Sequence, residues 1–281
     1  MGAARLFASD LDGTLLPNGV SPPPPGVIRR TIEALRALRI RGIPISYVTG
    51  RHYRLALRGI AELDLPRPDH WICNVGTEVR DANGELEPGW LARLGPALDL
   101  AAIDAAFART CTHGTLQGGA PALRLQEPER QGRHKVSFYC LTGPLPTATV
   151  SALEQGLNQS NVSAGAGALR LIASADVGRG HGLLDVVPRH AGKAAAIAFL
   201  AEVLGVALAD VVFAGDSGND LDALTCGVLG VLVGNADGEV RKALTEAARA
   251  PEGALVYHAQ AVYGDGVIEG LRHYGWLADR A

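Results

Sequence analysis

The sequence predicts an α/β protein, a doubly wound parallel-sheet core interrupted by an inserted α+β domain. Three observations carry this. Short apolar stretches ending in polar turns recur near both ends of the chain, and helical periodicity fills the intervals between them. Between about residues 81 and 185 that rhythm gives way to glycines and short alternating pieces. Strand alternating with helix is the pattern of a parallel sheet covered on both faces. The expected division is a core of residues 1–80 and 186–281 around an insertion of residues 81–185. A chain of 281 residues has room for both, and an insertion of about 100 residues is a usual domain size.

The first strand is Leu6-Phe7-Ala8, which gives out at Ser9-Asp10-Leu11-Asp12-Gly13, where Gly13 supplies the turn. Prolines 22–25 make the next loop stiff and extended. Val27, Ile28, Ile32, Leu35 and Leu38 then repeat at helical spacing, and Gly42 is placed to end that helix. Residues 44–48 form another strand, closed by Thr49-Gly50-Arg51, and residues 71–78 read as a further strand-then-turn unit. Within the insertion, residues 135–141 alternate as a strand and residues 147–158 read as a helix. The α/β rhythm resumes at Asp185-Val-Val-Pro188, followed by a strong helix from Lys193 that Gly205 closes. Residues 210–216 are again a buried strand, running into Ser217-Gly218-Asn219-Asp220 and a helix from Leu221. There is no internal repeat. Glycine-rich pieces at 164–168 and 178–182 match no phosphate-loop spacing and read as turns.

The acids at strand ends carry the chemistry. Asp10 and Asp12 lie two residues apart, and like charges that close raise each other's pKa. Such a pair is kept when a cation neutralises it, or when one acid attacks and the other moves protons; a polar turn is the plainer reading. A second cluster follows the strand at 210–216. In a parallel sheet, ligands collect at the carboxyl ends of strands. If the two strands are neighbours, Asp10, Asp12, Asp216 and Asp220 converge on one crevice, a hard-oxygen set that suits Mg²⁺. Asp220 serves equally as a cap for the next helix.

Lysine usage adds a pointer. Only Lys135, Lys193 and Lys242 occur among 26 basic residues. Lys193 begins a helix, where the dipole disfavours a cation, and a bound phosphate would explain that placement.

Composition excludes other classes. A net charge of −3 and a pI near 6.2 argue against a nucleic-acid face. Basic residues in 29–39 recur at helical spacing, as on a solvated helix face. Cysteines 73, 111, 140 and 226 lack CxxC spacing, so neither zinc nor a disulfide framework is indicated, and all four are expected reduced in the interior. No signal core and no apolar run of membrane length is present, and a cytoplasmic protein is expected.

In order, Asp10-Leu-Asp12-Gly-Thr-Leu, Thr49, Lys193 and Gly215-Asp216-Ser-Gly-Asn219-Asp220 resemble the four motifs of the haloacid dehalogenase superfamily of phosphohydrolases. The four in sequence are far more specific than any one. Finer features resemble its sucrose-phosphate phosphatase branch: Val48-Thr49-Gly50-Arg51, Asn74-Val-Gly-Thr-Glu78, Lys135-Val-Ser-Phe-Tyr139, Asp185-Val-Val-Pro188, Val233-Gly-Asn235-Ala236 and residues 266–275. Ala194 departs from the commoner glycine after the motif lysine.

The resemblance implies a Rossmann-like core, with a large cap domain inserted between the second and third motifs. It implies that Asp10 attacks phosphorus to form an aspartyl-phosphate and that Asp12 transfers protons. It further implies Mg²⁺ on the Asp10 carboxylate, the Asp12 backbone carbonyl and Asp216, with Asp220 assisting. Thr49, Gly50, Lys193 and Asn219 would hold the phosphoryl group or each other. Substrate contacts are expected from Glu78 and, in the cap, from Lys135, Ser137 and Tyr139; alternating polar residues on a cap strand explain the latter equally well. His134, His181 and His190 read as loop residues.

The implied substrate is a small phosphorylated sugar, sucrose 6-phosphate first, handled by a monomer or small homo-oligomer without nucleic-acid or membrane partners. Mannosylfructose phosphate, glucosylglycerol phosphate, trehalose 6-phosphate, a hexose phosphate and phosphomutase chemistry are the alternatives. A non-catalytic sugar-phosphate-binding domain would lack at least one of Asp10, Asp12, Lys193 or Asp216, and all four are present. A receiver domain is far shorter and has no cap.

Overall fold

The structure, a computed structural model, describes residues 3–19, 21–112, 122–160, 162, 168–176, 180–247 and 255–278, except the side chains of 110–112 and 175–176. The glycine-rich residues 164–167 and 178–179, and the side chain of Cys111, lie outside that description. The chain divides into two compact units, Met1–Trp90 with Lys193–Ala281, and Leu91–Gly192.

The first unit is built on a seven-stranded sheet. Its strands are β1 (Leu6–Asp10), β2 (Ile45–Val48), β3 (His70–Cys73), β4 (Glu78–Asp81), β9 (Val211–Gly215), β10 (Leu229–Leu232) and β11 (Val256–His258). They lie in the order β11-β10-β9-β1-β2-β3-β4. All neighbours are parallel except β3 and β4, which pair antiparallel at the edge. β1, β2 and β9 are buried along their whole length, which is why they read as largely apolar rather than alternating. From β1 the chain winds one way through β2 and β3; from β9 it winds the other way through β10 and β11. The reversal falls between β1 and β9.

Helix α1 (Val27–Ile40) buries Val27, Thr31, Leu35 and Leu38 and ends as its sequence suggests. Gly42 takes φ 70°, its N–H reaches the Arg39 carbonyl at 2.9 Å, and Ile43 N–H reaches Leu38 at 3.0 Å. These two bonds satisfy carbonyls the helix leaves unpaired. α6 (Lys193–Leu204) closes the same way at Gly205, whose φ is 64°. Helices α2 (Tyr53–Glu62), α7 (Leu221–Leu224), α8 (Gly238–Ala247) and α9 (Tyr263–His273) complete this unit.

The second unit carries a four-stranded antiparallel sheet in the order β5-β6-β8-β7. These strands are β5 (Leu123–Leu125), β6 (Val136–Cys140), β7 (Leu169–Asp176) and β8 (His181–Pro188). α4 (Leu100–Thr112) and α5 (Thr147–Gln159) supply Ile103, Phe107, Leu153 and Leu157 to a core shared with Val136, Phe138, Leu184 and Val186. Phe107 and Phe138 meet edge to face at 5.0 Å.

The division lies further along the chain than the limits expected at 81 and 185. β4 stays hydrogen-bonded to β3, and Trp90 at the start of α3 (Pro88–Leu94) packs on Phe199 at 5.2 Å. At the return, β8 is paired with both β6 and β7, so its end belongs to the second sheet. Cys73 and Cys140 are interior free thiols as expected, but Cys226 is only half-buried, in the turn after α7.

Gly270 of α9 lies directly against β10. A Cβ there would come within 2.4 Å of Val231 Cγ2. Alanine favours a helix by about 1 kcal/mol over glycine, whereas overpacking a tight contact costs about 1–3 kcal/mol. Gly270→Ala is therefore expected to lower the urea midpoint. An unchanged or higher midpoint would mean that the helix can shift to accept the methyl group.

Candidate active site

The winding reversal puts two polar strand ends side by side. Ser9 is in register with Ala214, so Asp10 ends β1 beside the turn where Gly215 leads into Asp216. On the other flank Asp10 is in register with Val48, so Thr49 follows immediately. Residues some two hundred positions apart thereby come together at one end of the sheet.

Asp10, Asp216 and Asp220 each offer an oxygen within 4.8 Å of the others, and all three are buried. Lys193, the first residue of α6, sends its ammonium among them. Its Nζ lies 2.8 Å from Asp10 Oδ1, 2.6 Å from Asp220 Oδ1 and 2.8 Å from Asn219 Oδ1. Those two carboxylates compensate a cation placed against the helix dipole, a reason the sequence alone did not reveal.

Asp220 stands at the N-cap position of α7, but its side chain makes no capping bond to that helix. Ser217 and Asp220 form a reciprocal capping box across the tight turn Gly218–Asp220. Asp220 Oδ2 accepts from the backbone N–H groups of Asp216 and Ser217, both at 3.1 Å. One oxygen thus shapes the loop and the other holds Lys193.

Glycines leave room for the acids. A Cβ on Gly13, whose φ is 80°, would stand 2.1 Å from Asp216 Oδ2, and one on Gly215 2.7 Å from the Asp220 side chain. Thr14 Oγ1 donates to Asp216 Oδ1 at 3.3 Å. Asn235 Nδ2 donates to the Gly13 carbonyl at 2.7 Å while its Oδ1 accepts from Tyr263 N–H at 2.8 Å. Asn235 therefore ties the Asp12-Gly13 turn to α9, a role its motif did not announce.

The cluster is short of positive charge. Burial raises the pKa of Asp10 well above the ordinary carboxylate value; Lys193 opposes this, and Asp220, Asp216 and Asp12 add to it. Asp216 is pushed up to about 8, by burial first and the Asp220 carboxylate second. Burial works against charge on Lys193 too, but Asp10 and Asp220 win and its pKa rises. Three buried carboxylates facing one ammonium suit a divalent cation, and an all-oxygen donor set selects a hard one.

The Asp12 side chain stands outside this cluster. Arg51 grips it with two parallel bonds, Nε to Oδ2 at 2.8 Å and Nη2 to Oδ1. Thr49 is fully buried, its Oγ1 accepting the Arg51 N–H at 3.1 Å, and Gly50 stands half-buried between them. The next loop is strained. Asn74 and Val75 take φ of 51° and 52°, rare for any side chain and an outlier for a β-branched one. Asn74 N–H to the Arg51 carbonyl (2.9 Å) and Val75 N–H to the Thr49 carbonyl (3.1 Å) hold it there. Glu78 accepts from Asn74 Nδ2 at 2.8 Å and from Arg80 Nε and Nη2 at 2.9 and 2.7 Å.

In the second unit Lys135, Ser137 and Tyr139 are buried rather than exposed alternating polar residues. Ser137 Oγ donates to Asp185 Oδ1 at 2.5 Å, and Lys135 Nζ lies 3.8 Å from the same oxygen. Tyr139 donates to Glu127 at 2.7 Å beneath the Arg124 guanidinium. Asp185 and Glu127 are the partners sequence reasoning missed. His134 is buried against the Gly95 carbonyl at 2.9 Å, and His190 is exposed.

The model of the sucrose-6F-phosphate phosphohydrolase family matches residues 3–275. The chain belongs to that family, a branch of the haloacid dehalogenase superfamily. It is a phosphatase. It is 34% identical to a putative HAD-like hydrolase of Nitrosococcus oceani, over 96% of this chain and 71% of that one. It is 30% identical to a mannosylfructose-phosphate phosphatase of Agrobacterium fabrum, over 98% of both. The sucrose-phosphatase of Synechocystis, solved with sucrose and phosphate, shares the fold: TM-score 0.77 at 23% identity, over 99% of this chain and all of that one. Among the described residues no helix is long and apolar enough to cross a membrane.

A cation that binds only the folded state stabilises it, by about 2.7 kcal/mol at a hundred times its dissociation constant. Millimolar Mg²⁺ is expected to raise the Tm of the wild type, and Asp216→Asn to remove most of that rise. An equal rise in both proteins would place the cation elsewhere.

Proposed function

We propose that this chain is a Mg²⁺-dependent phosphatase of a phosphorylated, fructose-containing disaccharide, sucrose 6-phosphate first, working through an aspartyl-phosphate. The observation that carries the reading is the buried Asp10–Lys193–Asp216–Asp220 cluster at the sheet's winding reversal. The Asp10 and Asp216 carboxylates and the Asp12 backbone carbonyl would hold Mg²⁺, with Asp220 assisting, and the ion would supply positive charge against the phosphoryl oxygens.

Asp10 attacks phosphorus in line, and the bond from phosphorus to the sugar oxygen breaks as the new one forms. Asp12 gives its proton to the departing oxygen. A water then attacks the phosphorylated Asp10, and Asp12 takes back a proton, so that phosphate leaves and both acids are restored. The Thr49 hydroxyl, the Gly50 backbone and Lys193 hold the phosphoryl oxygens, where charge stabilisation does most of the catalysis. Asn219 keeps Lys193 in place, 2.8 Å away.

Sugar recognition is assigned to Glu78 and to the cap expected at 81–185, through Lys135, Ser137 and Tyr139. Glu78 is already engaged by Arg80 and Asn74 and Ser137 by Asp185, so these groups are held in fixed orientations. Oriented polar groups of this kind discriminate against analogues lacking the matching hydroxyls. Mannosylfructose phosphate is the second reading, favoured by the end-to-end match to the Agrobacterium enzyme.

Phosphate release across both disaccharide phosphates, trehalose 6-phosphate and the hexose 6-phosphates, with Mg²⁺, tests the assignment. One of the two fructose-containing disaccharide phosphates should show the highest kcat/KM; a hexose phosphate in first place would remove the disaccharide assignment. Asp10→Asn should abolish turnover while leaving the fold intact, and full activity in that variant would remove the nucleophile.

A further inference from the structure

We propose that Arg51 is the positioning residue of the proton-transferring carboxylate, Asp12, and that Gly59 keeps open the slot in which its guanidinium lies. The inference rests on the reaction proposed above and assigns a part to two residues that reaction leaves unused.

The Asp12 carboxylate stands on a turn and is 43% exposed, so burial does not orient it. Among the described residues, Arg51 is its only side-chain hydrogen-bond partner. The two bonds run from the planar edge of the guanidinium to both carboxylate oxygens. A fork of that kind sets the plane of the acid as well as its distance, which a lysine's point charge does not do. When one oxygen carries the proton, the bond to the other still holds the group in place.

Arg51 is itself held at both ends. Its backbone N–H donates to Thr49 Oγ1 at 3.1 Å, and its carbonyl accepts from Asn74 N–H at 2.9 Å. Its Nη1 reaches toward the Leu55 carbonyl of α2 at 3.5 Å. On the same helix, a Cβ added at Gly59 would stand 2.3 Å from Arg51 Nη1 and 3.2 Å from Leu16 Cδ1. Any larger residue would push the guanidinium out of its seat. The chain of dependence runs from Gly59 through Arg51 to Asp12.

A leaving group that needs no proton separates positioning from general damage. For wild type, Arg51→Gln, Arg51→Lys, Gly59→Ala and Asp12→Ala, kcat/KM is measured on para-nitrophenyl phosphate and on the sugar phosphate the wild type turns over fastest. Nitrophenolate departs unprotonated, and kcat/KM reports only steps through formation of the phospho-enzyme. General acid catalysis contributes typically 10²–10⁴-fold. Arg51→Gln is expected to lose about a hundredfold on the sugar phosphate, and at least about tenfold less than that on the aryl ester. Arg51→Lys should rescue little, and Gly59→Ala should show the same leaving-group dependence.

Equal losses on both substrates, no loss, or a raised KM with unchanged kcat for Arg51→Gln would overturn the proposal. Gly59→Ala decides in the same terms if the arginine variants fail to fold. Asp12→Ala separates the two levels. If it shows no leaving-group dependence, the proton-transfer role of Asp12 fails; if it does and the Arg51 and Gly59 variants do not, only the positioning role fails.

Discussion

Parallel pairing of β1 with β9 forces three buried carboxylates to share one ammonium, and the rest of the structure accommodates that charge. The pairing brings Asp10 beside Asp216, and α6 delivers Lys193 between Asp10 and Asp220. Carboxylates out of water are costly unless paired and hydrogen-bonded. The capping box satisfies one oxygen of Asp220, Thr14 reaches Asp216, and Lys193 reaches the other two acids. What remains is an excess of negative charge that a cation would offset. In a family of sugar phosphatases, that is the chemistry the phosphoryl group requires.

Around this centre the turns are rigid where the acids need aim. Gly13 and Gly215 exist at those positions because a methyl group would occupy the space of a carboxylate. The strained Asn74–Val75 backbone is anchored to the carbonyls of Thr49 and Arg51, so the strain is borne by the same turn that orients Asp12. Strain of this kind persists only where the surroundings over-determine it. Asn235 performs the same service from the other side, linking the Asp12-Gly13 turn to the start of α9.

Much of the first unit was legible because β1, β2, β3 and β9 are short, largely apolar and followed by a polar turn. Gly42 and Gly205 mark helix ends for a local reason, the left-handed conformation their closures demand. The second unit was legible only in β6 and α5. α4, β5 and β7 carry weaker patterns, and their core of Ile103, Phe107, Leu169 and Leu171 is assembled from distant segments. The limits of that unit are hard to read from local pattern for the same reason. Whether residues 78–90 belong with one sheet or the other depends on the pairing of β4 with β3, a partner choice that the residues themselves do not spell out.

By itself, the sequence determined which residue types stand at strand ends and helix starts: Asp10, Thr49, Lys193, Asp216 and Asp220 are all placed by short-range pattern. Only the tertiary structure decided their pairings. That Asp12 is gripped by Arg51, that Asp220 turns back to hold its own loop, and that Ser137 donates to Asp185 are consequences of register and close approach. A hydrogen bond depends on tenths of an ångström between groups far apart in the chain, whereas apolar periodicity constrains only which face of an element is buried.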